Sequence, residues 1–315
     1  MIIGAMNAPS SPAGSCRLND WGVIRAQGAD AASFLHGQLT QDMQSLQPGQ
    51  ARLAGLCSAK GRLLATFVVW RQDADTLLLA CSADLLATTL KRLSLFVLRA
   101  KCKLSDASAD WPLHGLAGAE AAAWLSDAAG AQAWACTPVG DGHAIRLPDG
   151  AGQPRWLLTQ PADAAAPPLP ALTSADWDWL EVQSGVARIS AATLEHFVPQ
   201  MVNLELVGGV SFQKGCFPGQ EVVARSQYRG TLKRRAMLFD CVTTLLAGQE
   251  VFHNADPGQP AGRVAMAAPR PGGGASALVE VKLAALETGS LHAGAADGPV
   301  LVRTALPYAM PLNQG

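Results

Sequence analysis

An excess of charge of either sign is missing from this chain. Its 315 residues hold 24 Lys and Arg against 25 Asp and Glu, a formal net charge of −1. That balance excludes a dedicated nucleic-acid binder working through a global positive field, and leaves only local basic patches for such a role. No apolar run approaches the roughly 18 residues that span a bilayer. The first basic residue is Arg17, so the start lacks the charged region of a secretory signal. The seven cysteines, at 16, 57, 81, 102, 136, 216 and 241, include no pair with just two residues between its members. That excludes a C-x-x-C redox motif or zinc knuckle, and an odd, dispersed set fits a reducing cytoplasm. The six histidines show no metal spacing. There is no P-loop, dinucleotide fingerprint, Ser-His-Asp arrangement or fixed-period repeat.

Apolar residues make up 49% of the chain, enough for two or three domains with real cores. Residues 1–15 read as a loose tail. Trp21–Ala26 reads as a strand, and Asp30 as the cap of a short helix to Leu35. Ala51–Cys57 and Arg62–Trp70 read as strands joined by the turn Ser58-Ala59-Lys60-Gly61, with Leu77–Cys81 as a third. Ser82 opens a helix to Leu95 whose leucines at 86, 90 and 93 repeat at helical spacing. Val97–Leu104 reads as a further strand. Four prolines between Pro161 and Leu172 mark a linker. Ser174 reads as the cap of a helix running to about Ser184 and stopped by Gly185. From Ala236 onward, strand-like runs alternate with turns such as Pro271-Gly272-Gly273-Gly274, the pattern of a small antiparallel barrel. The whole reads as α+β.

Ser211-Phe212-Gln213-Lys214-Gly215-Cys216-Phe217-Pro218-Gly219-Gln220-Glu221 concentrates unusual chemistry. Pro218 suits the first position of a helix, and Gly215 and Gly219 permit backbone angles that a Cβ resists. Cys216 then falls at or just before a helix N-terminus, where free N–H groups and Lys214 favour a thiolate. The plain alternative is a packed cysteine that shapes a turn. A single thiolate can ligate iron but does not hold a cluster. Glu221 fits two roles, a partner of the helix dipole or a hydrogen-bond acceptor for a ligand. Arg225, Arg229, Lys233, Arg234 and Arg235 form a basic run that fits a solvated face equally with a clamp for carboxylates. RNA phosphates are a third use, weakened by the near-zero net charge.

The stretch Lys214–Glu221 resembles the signature of the YgfZ family. The likeness extends to Phe197–Leu204 and Gly208–Phe212 upstream and to Val222–Arg225, Tyr228-Arg229-Gly230 and Lys233-Arg234 downstream, with weaker echoes at Asp20-Trp21, Cys57–Gly61 and Val97–Arg99. That family comprises folate-binding relatives of the glycine-cleavage T-protein (aminomethyltransferase), linked to iron–sulfur cluster maintenance and through it to tRNA modification.

The resemblance implies a three-domain ring with the pterin of tetrahydrofolate in its central hole. The first domain would be discontinuous (16–54 plus 173–235), the second would be 55–172 and the barrel 236–315. It implies that Trp21 and Trp177, otherwise ordinary core anchors, stack on the pterin. Gln183 and Glu221 would hydrogen-bond it, Lys214 would pair with an anion, and Arg225, Arg229, Lys233 and Arg234 would meet the carboxylate tail. Cys216 would be the reactive group, and iron–sulfur enzymes or assembly factors the partners.

Two departures stand out. The hairpin that carries a catalytic aspartate in aminomethyltransferases reads Gly61-Arg62-Leu63-Leu64-Ala65-Thr66 here, without an acid. No carboxylate elsewhere is expected to reach the pocket. Where many relatives have a pterin-binding glutamate, this chain has Gln183. These departures favour a folate-binding effector over a one-carbon transferase.

Overall fold

A computed structural model describes residues 11–228 and 232–310. In chain order, the N-terminal part forms β1 (Gly14–Arg17), β2 (Trp21–Gln27), α1 (Ala31–His36), β3 (Ala51–Cys57), β4 (Leu63–Arg71), β5 (Thr76–Ser82), α2 (Ala83–Ser94) and β6 (Lys103–Asp106). The middle forms β7 (Leu113–Ala117), α3 (Ala119–Leu125), β8 (Cys136–Val139), β9 (Gly142–Gly150), β10 (Gln153–Thr159), α4 (Ser174–Gln183) and α5 (Gln220–Tyr228). The C-terminal part forms β11 (Arg234–Cys241), β12 (Glu250–His253), β13 (Asp256–Pro269), β14 (Ala275–Lys282), β15 (Leu291–Ala293) and β16 (Val300–Thr304).

These strands make three sheets. One five-stranded sheet runs β3-β4-β5-β2-β6, another runs β1-β7-β10-β9-β8, and the last six strands close a barrel in the order β11-β14-β13-β12-β15-β16. Every named pairing within them is antiparallel. β4 and β5 are buried along nearly their whole length, and their sequences are accordingly apolar runs and not alternations. One face of their sheet packs with α1, α2 and the 182–223 segment, and that cluster also takes in Leu238, Met266 and Leu278 of the barrel. The other face, with Val23, Trp70, Leu78 and Ala80, meets Leu113, Ile145 and Leu157 of the second sheet.

Helix α4 ties the three sheets together. Thr173 caps it by accepting the Asp176 N–H, and Gly185 ends it with a φ of +67°. Trp177 and Leu180 are both fully buried against the second sheet. Trp179, on another face, donates its indole N–H to Ser276 Oγ of the barrel at 3.1 Å. α4 therefore carries side chains into the space where the sheets converge.

Strand pairing redraws the expected boundaries. The cut expected at 54/55 falls inside β3, and β3 to β6 share a sheet with β2, so residues 55–106 pair with the first unit and not with the second. The tail expected over 1–15 ends earlier, because Gly14 and Ser15 belong to β1, which pairs with β7 a hundred residues away. Residues 1–10 lie outside the described ones. The strand expected over Val97–Leu104 is confined to β6. Leu98 has a φ of +38° and is largely exposed, so the chain turns there.

Candidate functional site

The signature loop is built around its lysine. Lys214 is 9% exposed, and its Nζ donates to the carbonyls of His36 (2.5 Å) and Leu39 (2.8 Å), just past the end of α1. The ammonium also sits 4.8 Å from the ring centre of Phe217. Burial pushes Lys214 down to about 8, against the opposing pull of Asp42 and Cys216. Its positive charge thus serves helix-end carbonyls, and the anion-pairing role expected for it is corrected. His36 Nδ1 lies 2.8 Å from Asp42 Oδ1. Burial alone would raise the Asp42 carboxyl, but hydrogen bonds from Ser45 and His36 bring it down to about 2.

The loop then passes under the β3–β4 turn. Gly219 has a φ of +78°, and a Cβ there would meet the Ser58 carbonyl at 2.3 Å. Helix α5 starts at Gln220, so Pro218 is not its first residue and Cys216 lies four residues before it. Cys216 is exposed. Cys57, Cys81 and Cys136 are buried, and burial pushes their thiols up to about 12.

Of the basic run, Arg225, Arg234 and Arg235 are paired with carboxylates of this chain. Glu221 is exposed and pairs with Arg225 one turn later at 2.9 Å. Arg234 forks onto both oxygens of buried Glu280 in the barrel. Arg235, 5% exposed, pairs with Glu205 and donates to the Gln200 carbonyl at 3.0 Å. Lys233 is exposed, and its carbonyl accepts from Leu283. Arg229 lies outside the described residues. None of these residues lines the cavities at the junction of the sheets, so Glu221, Arg225, Lys233 and Arg234 are not gathered into one pocket with the tryptophans.

The cavities lie around α4. A cleft of about 370 Å³ is lined by Asp20, Ser82, Asp84, Asp178, Glu181 and Arg188, with Ala265–Ala267 of the barrel as one wall. Glu181 and Arg188 also line a narrow pocket of about 30 Å³ that includes Trp21, Thr66, Phe67, Trp134 and Arg155. That space accommodates a water molecule or two. Arg188 forms the partition. Its guanidinium lies 4.8 Å from the Trp21 ring centre, bonds Asp20 Oδ2 at 2.6 Å, and stands 3.3 Å from Glu181 Oε2. The Glu181 contact is an ion pair at the edge of hydrogen-bond geometry, and Oε2 has no other hydrogen-bond partner among the described residues.

The electrostatics follow from crowding acids in a partly dry site. Burial, opposed by Arg188 and Arg155, pushes the Glu181 carboxyl up. Burial together with Glu181 and Asp20 pushes Asp178 up to about 7. Burial disfavours the Arg188 charge, yet the pull of Glu181 and Asp20 outweighs it and holds that guanidinium above its ordinary value.

Three expectations change here. Trp177 is fully buried, with Arg155 5.1 Å from its ring centre and the β7 backbone so close that a Cβ on Gly115 would stand 2.5 Å from the indole. It is a floor under Arg155 and presents no face for a pterin. Gln183 does not line the pocket. Glu181 does, because residues two apart on a helix point to nearly opposite sides while 177 and 181 share one. Carboxylates also reach the cleft from outside the hairpin, namely Asp20, Asp84, Asp178 and Glu181. The hairpin itself contributes Thr66, whose Oγ1 accepts the Ile189 N–H at 3.0 Å. Trp21, half-buried, is the one predicted aromatic at the pocket wall. Glu181 was findable from its i, i+4 spacing to Trp177. Arg155 and Arg188 carry no local signal, since arginine is ordinarily a surface residue.

Three sheets joined through one helix, with a charged pocket at the junction, define an aminomethyltransferase-like fold. A crystal structure of glycine cleavage system aminomethyltransferase T from Bartonella henselae superposes with a TM-score of 0.73 at 19% identity, over 94% of this chain and 86% of that one. The GCVT N-terminal domain model matches residues 6–139. The tRNA-modifying protein YgfZ of Edwardsiella ictaluri (strain 93-146) is 39% identical over 237 residues, covering 71% of this chain and 69% of the relative. That of Klebsiella pneumoniae (strain 342) is 34% identical over 244 residues, covering 72% and 73%. The chain belongs to the YgfZ family of tRNA-modifying proteins. Among the described residues no helix is long and apolar enough to cross a membrane, and no cluster of three His, Cys, Asp or Glu is placed to hold a metal.

Proposed function

We propose that this chain is a cytoplasmic tetrahydrofolate-binding protein that supports the assembly or repair of iron–sulfur clusters in other enzymes, and through them tRNA modification. The observation that carries the folate reading is Glu181, a carboxylate 6% exposed whose Oε2 lacks a hydrogen-bond donor at a pocket wall. Its one cationic neighbour there, Arg188, stands 3.3 Å away, and a carboxylate oxygen has room for a further donor, which the N–H edge of a pterin supplies. Trp21 provides an aromatic wall. Arg188 lies on that wall and divides the narrow pocket from the cleft, so a ring that stacks on Trp21 displaces the guanidinium into the cleft, where Asp20 and Asp178 already hold it. Tetrahydrofolate, when bound, brings a one-carbon carrier, and Glu181 and Trp21 would hold its pterin. Cys216, exposed on the separate loop, is the group available to partners.

The direct test is titration with tetrahydrofolate followed by tryptophan fluorescence. Saturable quenching that is lost in Glu181→Gln supports the reading, and no binding to the wild-type chain overturns it. A second reading, a one-carbon transferase, is favoured by the carboxylates of Asp20 and Asp178 in the cleft, the latter poised near neutrality as acid–base groups are. Consumption of methylene-tetrahydrofolate with an amine donor would establish it. A direct tRNA module is disfavoured by the pairing of Arg225, Arg234 and Arg235 inside the chain, and predicts strongly salt-dependent binding.

A further inference from the structure

Arg155 is the most buried arginine among the described residues, 2% exposed. Buried guanidiniums are normally matched by a carboxylate, because an unmatched one is expensive. This chain follows that rule elsewhere. Arg235 is paired with Glu205, Arg234 with Glu280, and Arg188 with Asp20 and Glu181. Arg155 departs from it. Its Nε donates to the Pro148 carbonyl at 3.1 Å and its guanidinium carbon stands 5.1 Å from the Trp177 ring centre. Among the described residues it forms no direct ion pair, and the attraction of Glu181 reaches it from farther away. Nη1 is buried without any hydrogen-bond partner. The residue lines the narrow pocket together with Glu181 and Trp21.

We infer that Arg155 is a ligand-anchoring residue, one that donates from Nη1 to a ring carbonyl while Glu181 accepts the N–H groups beside that carbonyl. The inference rests on the folate reading and names the edge of the ring that is recognised. An anionic partner for Arg155 is opposed by Glu181, and by Asp178 and Asp20 in the adjoining cleft. A neutral oxygen satisfies the donor without adding charge. The Trp177 ring 5.1 Å away and the Pro148 bond hold the guanidinium, so its free edge is preorganised for a ligand. An acceptor-next-to-donor edge is what a 4-oxo pterin presents, and a 4-amino pteridine does not.

The experiment titrates wild type, Arg155→Met and Arg155→Lys with tetrahydrofolate and with its 4-amino counterpart, tetrahydroaminopterin. The thermal midpoint of each ligand-free protein is recorded alongside. Arg155→Met is expected to lose about 10-fold or more in affinity for the 4-oxo compound, the worth of one hydrogen bond from a charged donor. Its affinity for the 4-amino compound is expected to change by less than about threefold, since that ligand offers Arg155 no acceptor. Its ligand-free midpoint is expected to fall, because the buried Glu181 carboxylate loses the attraction of that charge. Arg155→Lys, which keeps the charge and loses the fork, is expected to fall between, and it carries the test if the methionine variant does not fold. Equal losses for both ligands, or wild-type affinity for tetrahydrofolate in the variants, would overturn the inference while leaving the folate reading intact. Failure of the wild-type chain to bind either compound would remove the folate reading and this inference with it.

Discussion

In the signature loop the lysine is buried and the cysteine faces solvent, whereas in the pocket around α4 the acids and arginines are drawn in together. The loop's polar groups are spent on the fold. Lys214 finishes α1, Gly219 lets α5 pack beneath the β3–β4 turn, and Arg235 ties the loop's flank to Glu205. The pocket's polar groups line a cavity, and Glu181 Oε2 and Arg155 Nη1 are buried there without a hydrogen-bond partner among the described residues, as Glu205 Oε2 and Gln200 Oε1 are beside the loop. The difference teaches that a conspicuous motif and a binding pocket need not coincide. A dense motif can be dense because it folds a difficult turn, while a ligand site needs both a cavity and polar atoms free to meet what enters it.

That contrast can be broken or sharpened by mutation. The largest effect is expected from Arg235→Met, which strands the buried Glu205 carboxylate and should cost about 3–5 kcal/mol by chemical denaturation, with tetrahydrofolate affinity of the folded fraction unchanged. Lys214→Met removes two hydrogen bonds from a charged donor and should cost about 2–3 kcal/mol in the same assay, again without changing affinity. A large loss of affinity in either variant would mean that loop and pocket act as one site.

A smaller effect comes from the acid cluster. Asp178 is raised to about 7 in the folded chain, against about 3.9 when unfolded. Between these values the native state holds a proton that the unfolded chain has released, so wild-type stability falls as pH rises across that window and levels off above it. Asp178→Asn does not titrate there. Its stability relative to wild type should therefore climb from about pH 4 to about pH 7 and then stay flat, and a constant difference would contradict the crowding described for the cleft. The smallest effect is expected from Cys216→Ser. An exposed side chain with no buried contacts should shift stability by less than about 0.5 kcal/mol.

Much of the fold was legible in the sequence. The apolar runs gave β3, β4 and β5 to within a residue, because strands buried on both faces leave an uninterrupted signal. The glycine turns after 236 announced the barrel, although the short β12 and β15 escaped notice at four and three residues. β1 was missed because its partner lies a hundred residues downstream, and no local pattern reports such a pairing. The site was read less well. Trp21 was placed at the pocket, and Trp177 was given a ligand's face that Arg155 and Gly115 already cover. Gln183 is expected only from the resemblance to relatives, whereas the helical phase shared with Trp177 selects Glu181. The buried arginines were out of reach of sequence rules, since their burial depends on contacts between sheets far apart in the chain.

The account turns on which of the two regions holds the pterin, and a side-by-side titration of Glu181→Gln and Cys216→Ser with tetrahydrofolate tests this most directly. Loss of about tenfold or more in affinity for Glu181→Gln, the scale of a charged hydrogen bond, with wild-type affinity for Cys216→Ser, is the predicted result. Wild-type binding by Glu181→Gln together with lost binding by Cys216→Ser would contradict it and move the ligand to the loop.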